Sequence, residues 1–197
     1  MTIFYLVRHA LHDWLGQGIA GRTDVPLSDA GHAQAGRLAE RLSREPIDAV
    51  QTSPLLRTRQ TAQPIAERLG LGAELAPAVV EIDFGEWTGR RFGELEADPR
   101  WRRWNAVRST SRAPEGETMI EVQARFVDHL SRLSRERPGG RVALVSHGDP
   151  IRAVLAHWLG MPLDLFLRLE VSPASISVIG LDDGGPRVFS INEAIPG

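Results

Sequence analysis

Three strand-like stretches of this chain run directly into residues that can do chemistry. Ile3 to Val7 leads into Arg8-His9, Ala49 to Thr52 is followed by Ser53 with Arg57 close behind, and Val142 to Val145 leads into Ser146-His147-Gly148. Taken singly, a histidine that closes a strand is more often a hydrogen-bonded structural group, and an arginine is more often a solvated surface residue. Gathered at one place they mean more, because several potential cations are costly to bury together unless an anion neutralises them. Phosphate is such an anion. A guanidinium pairs with two of its oxygens at once, and a neutral imidazole can attack as a nucleophile. No cluster of carboxylates offers a metal site as another source of positive charge.

These residues meet only if their strands are neighbours with the carboxyl ends on one edge. The pattern supports that. A helix over Ala30 to Leu42, with Ser28 or Asp29 as N-cap, follows the first strand. After the second, Ser53-Pro54 reads as an N-cap with proline at the first helical position, opening a helix through Leu69 that Gly70 closes. A strand is expected near Leu75 to Val80. Thr118 opens an amphipathic helix carrying Met119, Val122, Phe126, Val127, Leu130 and Leu133, which Pro138-Gly139-Gly140 ends. Val142 to Val145 is apolar throughout, as a central strand is, and a helix from Pro150 to Leu159 follows. Ile176 to Leu181 and Val188 to Ile191 flank a turn at Asp182-Asp183-Gly184-Gly185 and read as a strand pair. Strands alternating with helices predict a doubly wound, three-layer α/β/α fold with a mostly parallel central sheet. Ligands of such folds bind beyond the carboxyl ends of the strands, where helix N-termini present unpaired N–H groups. The whole chain, 1–197, reads as a single domain. Its segment 83–114 is rich in Gly, Arg and Trp and has no strand period, so short helices and loops laid over the sheet as a lid are expected there.

Composition narrows the function. The chain has 197 residues, with 23 basic against 25 acidic side chains and a net charge of −2, a balance that draws it neither to nucleic acid nor to an anionic membrane. It has no cysteine, which closes disulfide, thiolate-metal and cysteine-nucleophile chemistry. It has no lysine either, so all 23 basic residues are arginine and lysine Schiff-base chemistry is closed as well. The start of the chain lacks a charged region ahead of its apolar residues and no apolar run approaches about 18 residues, which favours a cytoplasmic location.

The motifs carry a family resemblance. Leu6-Val7-Arg8-His9-Ala10, Gly21 to Gly31, Thr52 to Ala62, Glu81 to Gly89, Pro114 to Thr118, Val145 to Gly148 and Ala174 to Ser177 follow one another as in the histidine phosphatase superfamily, the phosphoglycerate-mutase-like proteins. The chain is similar to that family over most of its length and most resembles its small phosphatase branch, such as the α-ribazole-5′-phosphate and broad-specificity acid phosphatases. The resemblance implies a phosphoglycerate-mutase-like fold and hydrolysis of a small phosphorylated metabolite with no metal or other cofactor. It also implies roles. His9 matches the nucleophile that becomes a phosphohistidine, with its second ring nitrogen held by a backbone carbonyl. Arg8, Arg57 and His147 match the groups that grip the phosphoryl oxygens, where charge spreads in the transition state. Glu81 aligns with the proton donor, which needs burial to be partly protonated; Asp83 and Glu86 lie close enough in sequence to compete for that role.

Some positions depart from the family pattern. Ala10 stands where a glycine is common, which disfavours a positive φ. Leu15 stands where an asparagine often touches substrate. His12 is expected either as a phosphate donor in the pocket or facing solvent; Gly21-Arg22 and Asp24 read as structural or rim-forming, with Arg22 as a contact for an anionic tail. His32, His129 and His157 fall inside helices. Arg100, Arg102, Arg103, Arg108 and Arg112 read as a solvated helical face in preference to a substrate clamp, and Trp14, Trp87, Trp101 and Trp104 as core residues or as stacking partners of a substrate. The compact stretch Phe92 to Pro114 favours hydrolysis over mutase-type phosphoryl transfer, which must exclude water from the phosphohistidine. A catalytically weak module that binds phosphate or a phosphoprotein is the non-enzymatic alternative, supported by Ala10 and Leu15 and opposed by the proton donor. A homodimer is a further expectation.

Overall fold

The computed structural model describes residues 1–195. Six strands form one mixed sheet in the order β3-β2-β4-β1-β5-β6. They are β1 (Thr2–Arg8), β2 (Ala49–Thr52), β3 (Ala73–Leu75), β4 (Arg141–Ser146), β5 (Ile176–Asp182) and β6 (Gly185–Glu193). β3, β2, β4 and β1 are mutually parallel, while β5 runs antiparallel to β1 and forms a hairpin with β6. The helices are α1 (Asp29–Leu42), α2 (Leu56–Leu69), α3 (Phe92–Leu95), α4 (Pro99–Ala106), α5 (Met119–Glu136) and α6 (Gly148–Trp158).

The period-two alternation of β1 divides the core. Tyr5 and Val7 pack on one face with Val50, Ala143 and Val145 beneath Leu38 and Leu42 of α1 and Ile65 of α2. Phe4 and Leu6 pack on the other with Val142 and Leu144 beneath Phe126 and Leu130 of α5 and Val154 and Leu155 of α6. This is the three-layer arrangement expected of an α/β sequence, and each such side chain contributes about 1.5–3 kcal/mol on burial. A third cluster lies beside these two. Trp87, Trp104, Leu95, Phe84 and Ile82 pack with Met119 and Val122 of α5 and Phe166. Segment 83–114 is thus short helices and turns held against α5, α6 and Phe166 by this third apolar cluster. Within it Trp87, Trp101 and Trp104 make edge-to-face and stacked pairs with ring centroids 5.3 to 5.8 Å apart. Trp87 and Trp104 are core residues.

Two local expectations differ from the structure. The strand read over Leu75 to Val80 is shorter and earlier: only Ala73–Leu75 pairs with β2, and Pro77, which has no N–H to give a ladder, opens a single 3-10 turn over Pro77–Val79. Helix α2 begins at Leu56, and Ser53 does not cap it. The backbone N–H of Leu56 is met instead at 2.8 Å by the carboxylate of Asp24, 32 positions away in sequence. Elsewhere the helix signals hold. Ser28 accepts from Gly31 N at the start of α1, and Thr118 with Glu121 forms a reciprocal capping box on α5. No helix among the described residues is long and apolar enough to cross a membrane.

Candidate active site

The chain passes from β1 to β2 over a gap in the sheet that β4 later fills, so three parallel strands end side by side. Arg8 is level with Ser146, and Thr52 with Val145. One further backbone bond on each side carries the ladder past the strands: His9 N donates to Ser146 O and Ser53 N to Val145 O, both at 2.9 Å. His9, Ser53 and His147 therefore stand together at the carboxyl edge, and all three are buried.

The geometry fixes which nitrogen of His9 carries the proton. Its Nδ1 lies 2.8 Å from the carbonyl of Ala10. A carbonyl only accepts, so the proton is on Nδ1 and Nε2 keeps its lone pair. Burial, then the Arg57 and Arg8 guanidiniums, hold the ring well below the usual histidine range and so keep it neutral. Ala10 is itself buried, donates to Thr61 Oγ1 at 3.0 Å, and is not among the residues with positive φ, so its methyl is accommodated without strain.

Around His9 the cations are anchored by part of their donor set. Arg57 gives its two terminal nitrogens to the carbonyls of Thr23 and Gly21 at 3.0 and 2.8 Å, and Arg8 gives one to Val171 O at 2.7 Å. The Nε atoms of both arginines, with Nδ1 of His147 and Nδ1 of His12, are buried and have no protein partner. A buried donor left in that state costs about 1–3 kcal/mol. Donors of this kind around one neutral imidazole are the complement of an oxyanion. His147 is oriented by Ser53, whose hydroxyl is 2.8 Å from its Nε2. Its ring sits 5.2 Å from that of His9 at 61°, and burial followed by Arg57 and His9 keeps it well below the usual histidine range. His12, expected in the pocket or in solvent, is in the pocket: its ring is 5.2 Å from His9, and burial with Arg57 and Arg8 pulls it down to about 4.

Glu81 completes the pocket. Its Oε1 accepts from Ile82 N at 3.0 Å and its Oε2 is 3.9 Å from His147 Nδ1. Burial, and next the nearby Asp149 carboxylate, push it up to about 7 against the opposing pull of Arg57 and Arg8. A carboxyl in that range is part acid and part base at neutral pH. Asp83 and Glu86 do not line the pocket: Asp83 accepts from Gly85 N, and Glu86 pairs with Arg100.

The lining of the cleft, about 130 Å³, also includes Leu15, Ile19, Ala20, Phe84, Asp149 and Arg152. Arg22 is not part of it. Its guanidinium is committed behind the site, to the Glu81 carbonyl at 3.1 Å and to the carboxylates of Asp83 and Glu117 at 3.5 and 2.9 Å, so its role here is to hold the Glu81 loop rather than to meet an anionic tail. Nor is Arg108 on a solvated face; it is buried with its guanidinium 3.6 Å from the Trp104 ring centroid. Sequence reasoning missed three placements: Ser53 as the partner of His147, and Asp149 and Arg152 on the pocket wall. The signal for Asp149 was its position one residue past His147-Gly148, where an acid reads as ordinary helix-start chemistry. Among the described residues no group of three His, Asp or Glu side chains forms a candidate metal site.

An α/β sheet with a neutral, carbonyl-held histidine ringed by arginines at its carboxyl edge defines a phosphoryl-handling enzyme. The family model of the histidine phosphatase superfamily (branch 1) matches residues 4–194, and the chain belongs to that family. Phosphoserine phosphatase 1 of Hydrogenobacter thermophilus is 34% identical over 98% of this chain and 92% of its own. A probable phosphoglycerate mutase of Cronobacter sakazakii is 37% identical over 90% of this chain and 84% of its own. Among solved structures, a mycobacterial glucosyl-3-phosphoglycerate phosphatase superposes with a TM-score of 0.88 at 25% identity, covering 98% of this chain and 99% of the other. The protein is a phosphoric monoester hydrolase of this family.

Proposed function

We propose that this enzyme hydrolyses a small phosphorylated metabolite through a phosphohistidine on His9, with Glu81 as the proton donor and no metal ion in the chemical step. The observation that carries this reading is the 2.8 Å bond from His9 Nδ1 to the Ala10 carbonyl, which leaves a neutral Nε2 lone pair in a pocket with unpartnered arginine and histidine nitrogens. In the first displacement His9 Nε2 forms a bond to phosphorus as the P–O ester bond breaks, and Glu81 gives its proton to the leaving alkoxide. Arg8, Arg57 and His147 hold the phosphoryl oxygens, with His12 beside them; the two guanidiniums supply the positive charge that the transition state needs, and the neutral imidazoles contribute hydrogen bonds. In the second, Glu81, now a carboxylate, takes a proton from water, whose oxygen attacks phosphorus as the P–N bond breaks. Phosphate leaves, and His9 and Glu81 return to their starting states.

The relatives' names support a small phosphorylated metabolite as substrate. Segment 83–114 acts as a cap that walls the pocket through Phe84. The test is phosphate release in EDTA from p-nitrophenyl phosphate, phosphoserine, 3-phosphoglycerate and α-ribazole phosphate, run beside His9→Ala. Turnover that survives EDTA and is lost in the variant is expected. Turnover abolished by EDTA and restored by a divalent cation, or retained by His9→Ala, contradicts the reading. Isomerisation of phosphoglycerate without phosphate release assigns mutase-type transfer instead.

A further inference from the structure

The pocket sets two demands against each other. Gripping a phosphoryl group needs concentrated positive charge, whereas a carboxyl surrounded by positive charge gives up its proton and stops being an acid. Glu81 faces Arg8 from β1, Arg57 from α2, Arg108 from the segment after α4, and His147 and Asp149 from the start of α6. On its backbone side stand Arg22 and Arg125, each paired with Glu117, and Arg22 also with Asp83. We propose that Asp149 is the positioning residue that reconciles these demands: its carboxylate is fixed in the pocket wall by two arginines and, as a like charge, holds the Glu81 carboxyl in its acid form. The proposal rests on the reading of Glu81 as the proton donor.

The fixing is specific. Asp149 Oδ2 accepts from Arg108 at 3.1 Å and Oδ1 from Arg152 at 3.2 Å. Arg108 is held in turn, its guanidinium lying 3.6 and 5.0 Å from the ring centroids of Trp104 and Phe166 and donating to Asn105 Oδ1 at 2.5 Å. Arg152 donates from Nε to Leu169 O at 2.8 Å. Asp149 therefore cannot turn out to solvent without leaving a buried guanidinium unpaired, which is costly. Its place in the first turn of α6, where the helix dipole favours negative charge, acts in the same sense. Gly148 completes the arrangement. A Cβ there would lie 3.2 Å from Arg8 Nε and 3.3 Å from an Arg152 terminal nitrogen, so the glycine lets the phosphate-gripping arginine and the Asp149-holding arginine pack against one backbone atom. Asp149 and Glu81 line the same cleft, a place that a salt bridge serving only to secure α6 does not need. The upward displacement of Glu81, with Asp149 as its largest cause after burial, agrees with this reading.

The test follows Glu81 in two ways, by the ¹³C titration of its side-chain carboxyl, assigned with Glu81→Gln, and by the alkaline limb of kcat/KM for phosphoserine, which reports the free enzyme's essential acid. Asp149→Asn is expected to move both toward acid by about one pH unit, to lower turnover at pH 8, and not to raise KM, because the freed arginine favours anion binding. Asp149→Glu, which keeps the charge, is expected to bring the limb back toward its original position. Arg108→Met, which places an unbranched apolar chain between Trp104 and Phe166 and removes a cation facing Glu81, is expected to move the limb the other way; it tests the same electrostatics should Asp149→Asn fail to fold. An unchanged Glu81 titration in folded Asp149→Asn, or a limb that Arg108→Met also moves toward acid, overturns the proposal. A carboxyl resonance that moves while the kcat/KM limb stays still instead shows that Glu81 is not the proton donor, leaving its link to Asp149 intact.

Discussion

Replacing Ser53 by alanine should cost both activity and stability. The Ser53 hydroxyl lies 2.8 Å from Nε2 of His147, and both residues are fully buried. With the hydroxyl donating to Nε2, the ring proton is confined to Nδ1, the nitrogen that has no protein partner and belongs to the anion-binding set. Without the hydroxyl, Nε2 is a buried acceptor with nothing to accept, a condition worth about 1–3 kcal/mol. With that constraint gone the proton is also free to sit on Nε2, equally without a partner there, and Nδ1 then turns a lone pair toward the phosphoryl oxygens. Losing one preorganised donor outright costs about 10²–10³-fold in rate; a mixed tautomer population loses part of that. The expectation is a fall in kcat/KM of about 10- to 100-fold, or about 1.4–2.7 kcal/mol. At about 2–4 °C per kcal/mol for a chain of this size, the unpaired nitrogen should lower the melting temperature by about 2–12 °C. Steady-state kinetics with p-nitrophenyl phosphate give the rate, and ¹⁵N correlation spectra of the histidine rings give the tautomer. A variant within twofold of wild type, with the His147 pattern unchanged, refutes the assignment of Ser53 as the group that orients His147.

Four other perturbations have expected outcomes. Glu81→Gln should slow hydrolysis of alkyl phosphates by about 10²–10⁴-fold and p-nitrophenyl phosphate much less, since p-nitrophenolate leaves without a proton; equal losses for both count against Glu81 as the acid. In the wild type, kcat/KM for an alkyl phosphate should fall as pH rises through about 7, because Glu81 must carry its proton to act, and a profile flat to pH 9 contradicts this. Asp24→Ala should remove the cap of α2 at the cost of about 1 kcal/mol, read as a drop of about 2–4 °C in melting temperature with kcat little changed. Gly85→Ala should be severe, at least about 2 kcal/mol, because the residue sits at φ 51° and a Cβ would lie 1.9 Å from Pro114 O; a melting temperature equal to wild type argues against that turn.

That these residues meet at one sheet edge was legible in the sequence because each part is local: an apolar run followed at once by Arg8-His9, and another followed by Ser146-His147. The capping box at Thr118 and the glycine that closes α2 at Gly70 were legible for the same reason. What escaped was set by contacts between distant positions. Ser53-Pro54 looks like a helix start, yet in the fold Asp24 takes the capping role and the serine hydroxyl is free to reach His147, 94 residues on. Arg22 was drawn away from the rim by Glu117 and Asp83, whose proximity depends on the turn at Gly85. Arg108 shares its spacing with solvated arginines, and only the fold supplies the aromatic pocket and the carboxylate that bury it. Glu81, placed in the sequence by family resemblance, gains a physical basis from burial and the Asp149 carboxylate.

The most direct test is chemical trapping of the intermediate. Enzyme mixed with ³²P-labelled substrate in EDTA is quenched in alkali within one turnover and digested, and the labelled peptide is sequenced by mass spectrometry. The account predicts one phosphoramidate, stable to base and labile to acid, on Nε2 of His9 within Leu6 to Ala10, formed at a rate no slower than kcat and absent from His9→Ala. Label on another residue, or full turnover with no labelled protein in either form, contradicts it.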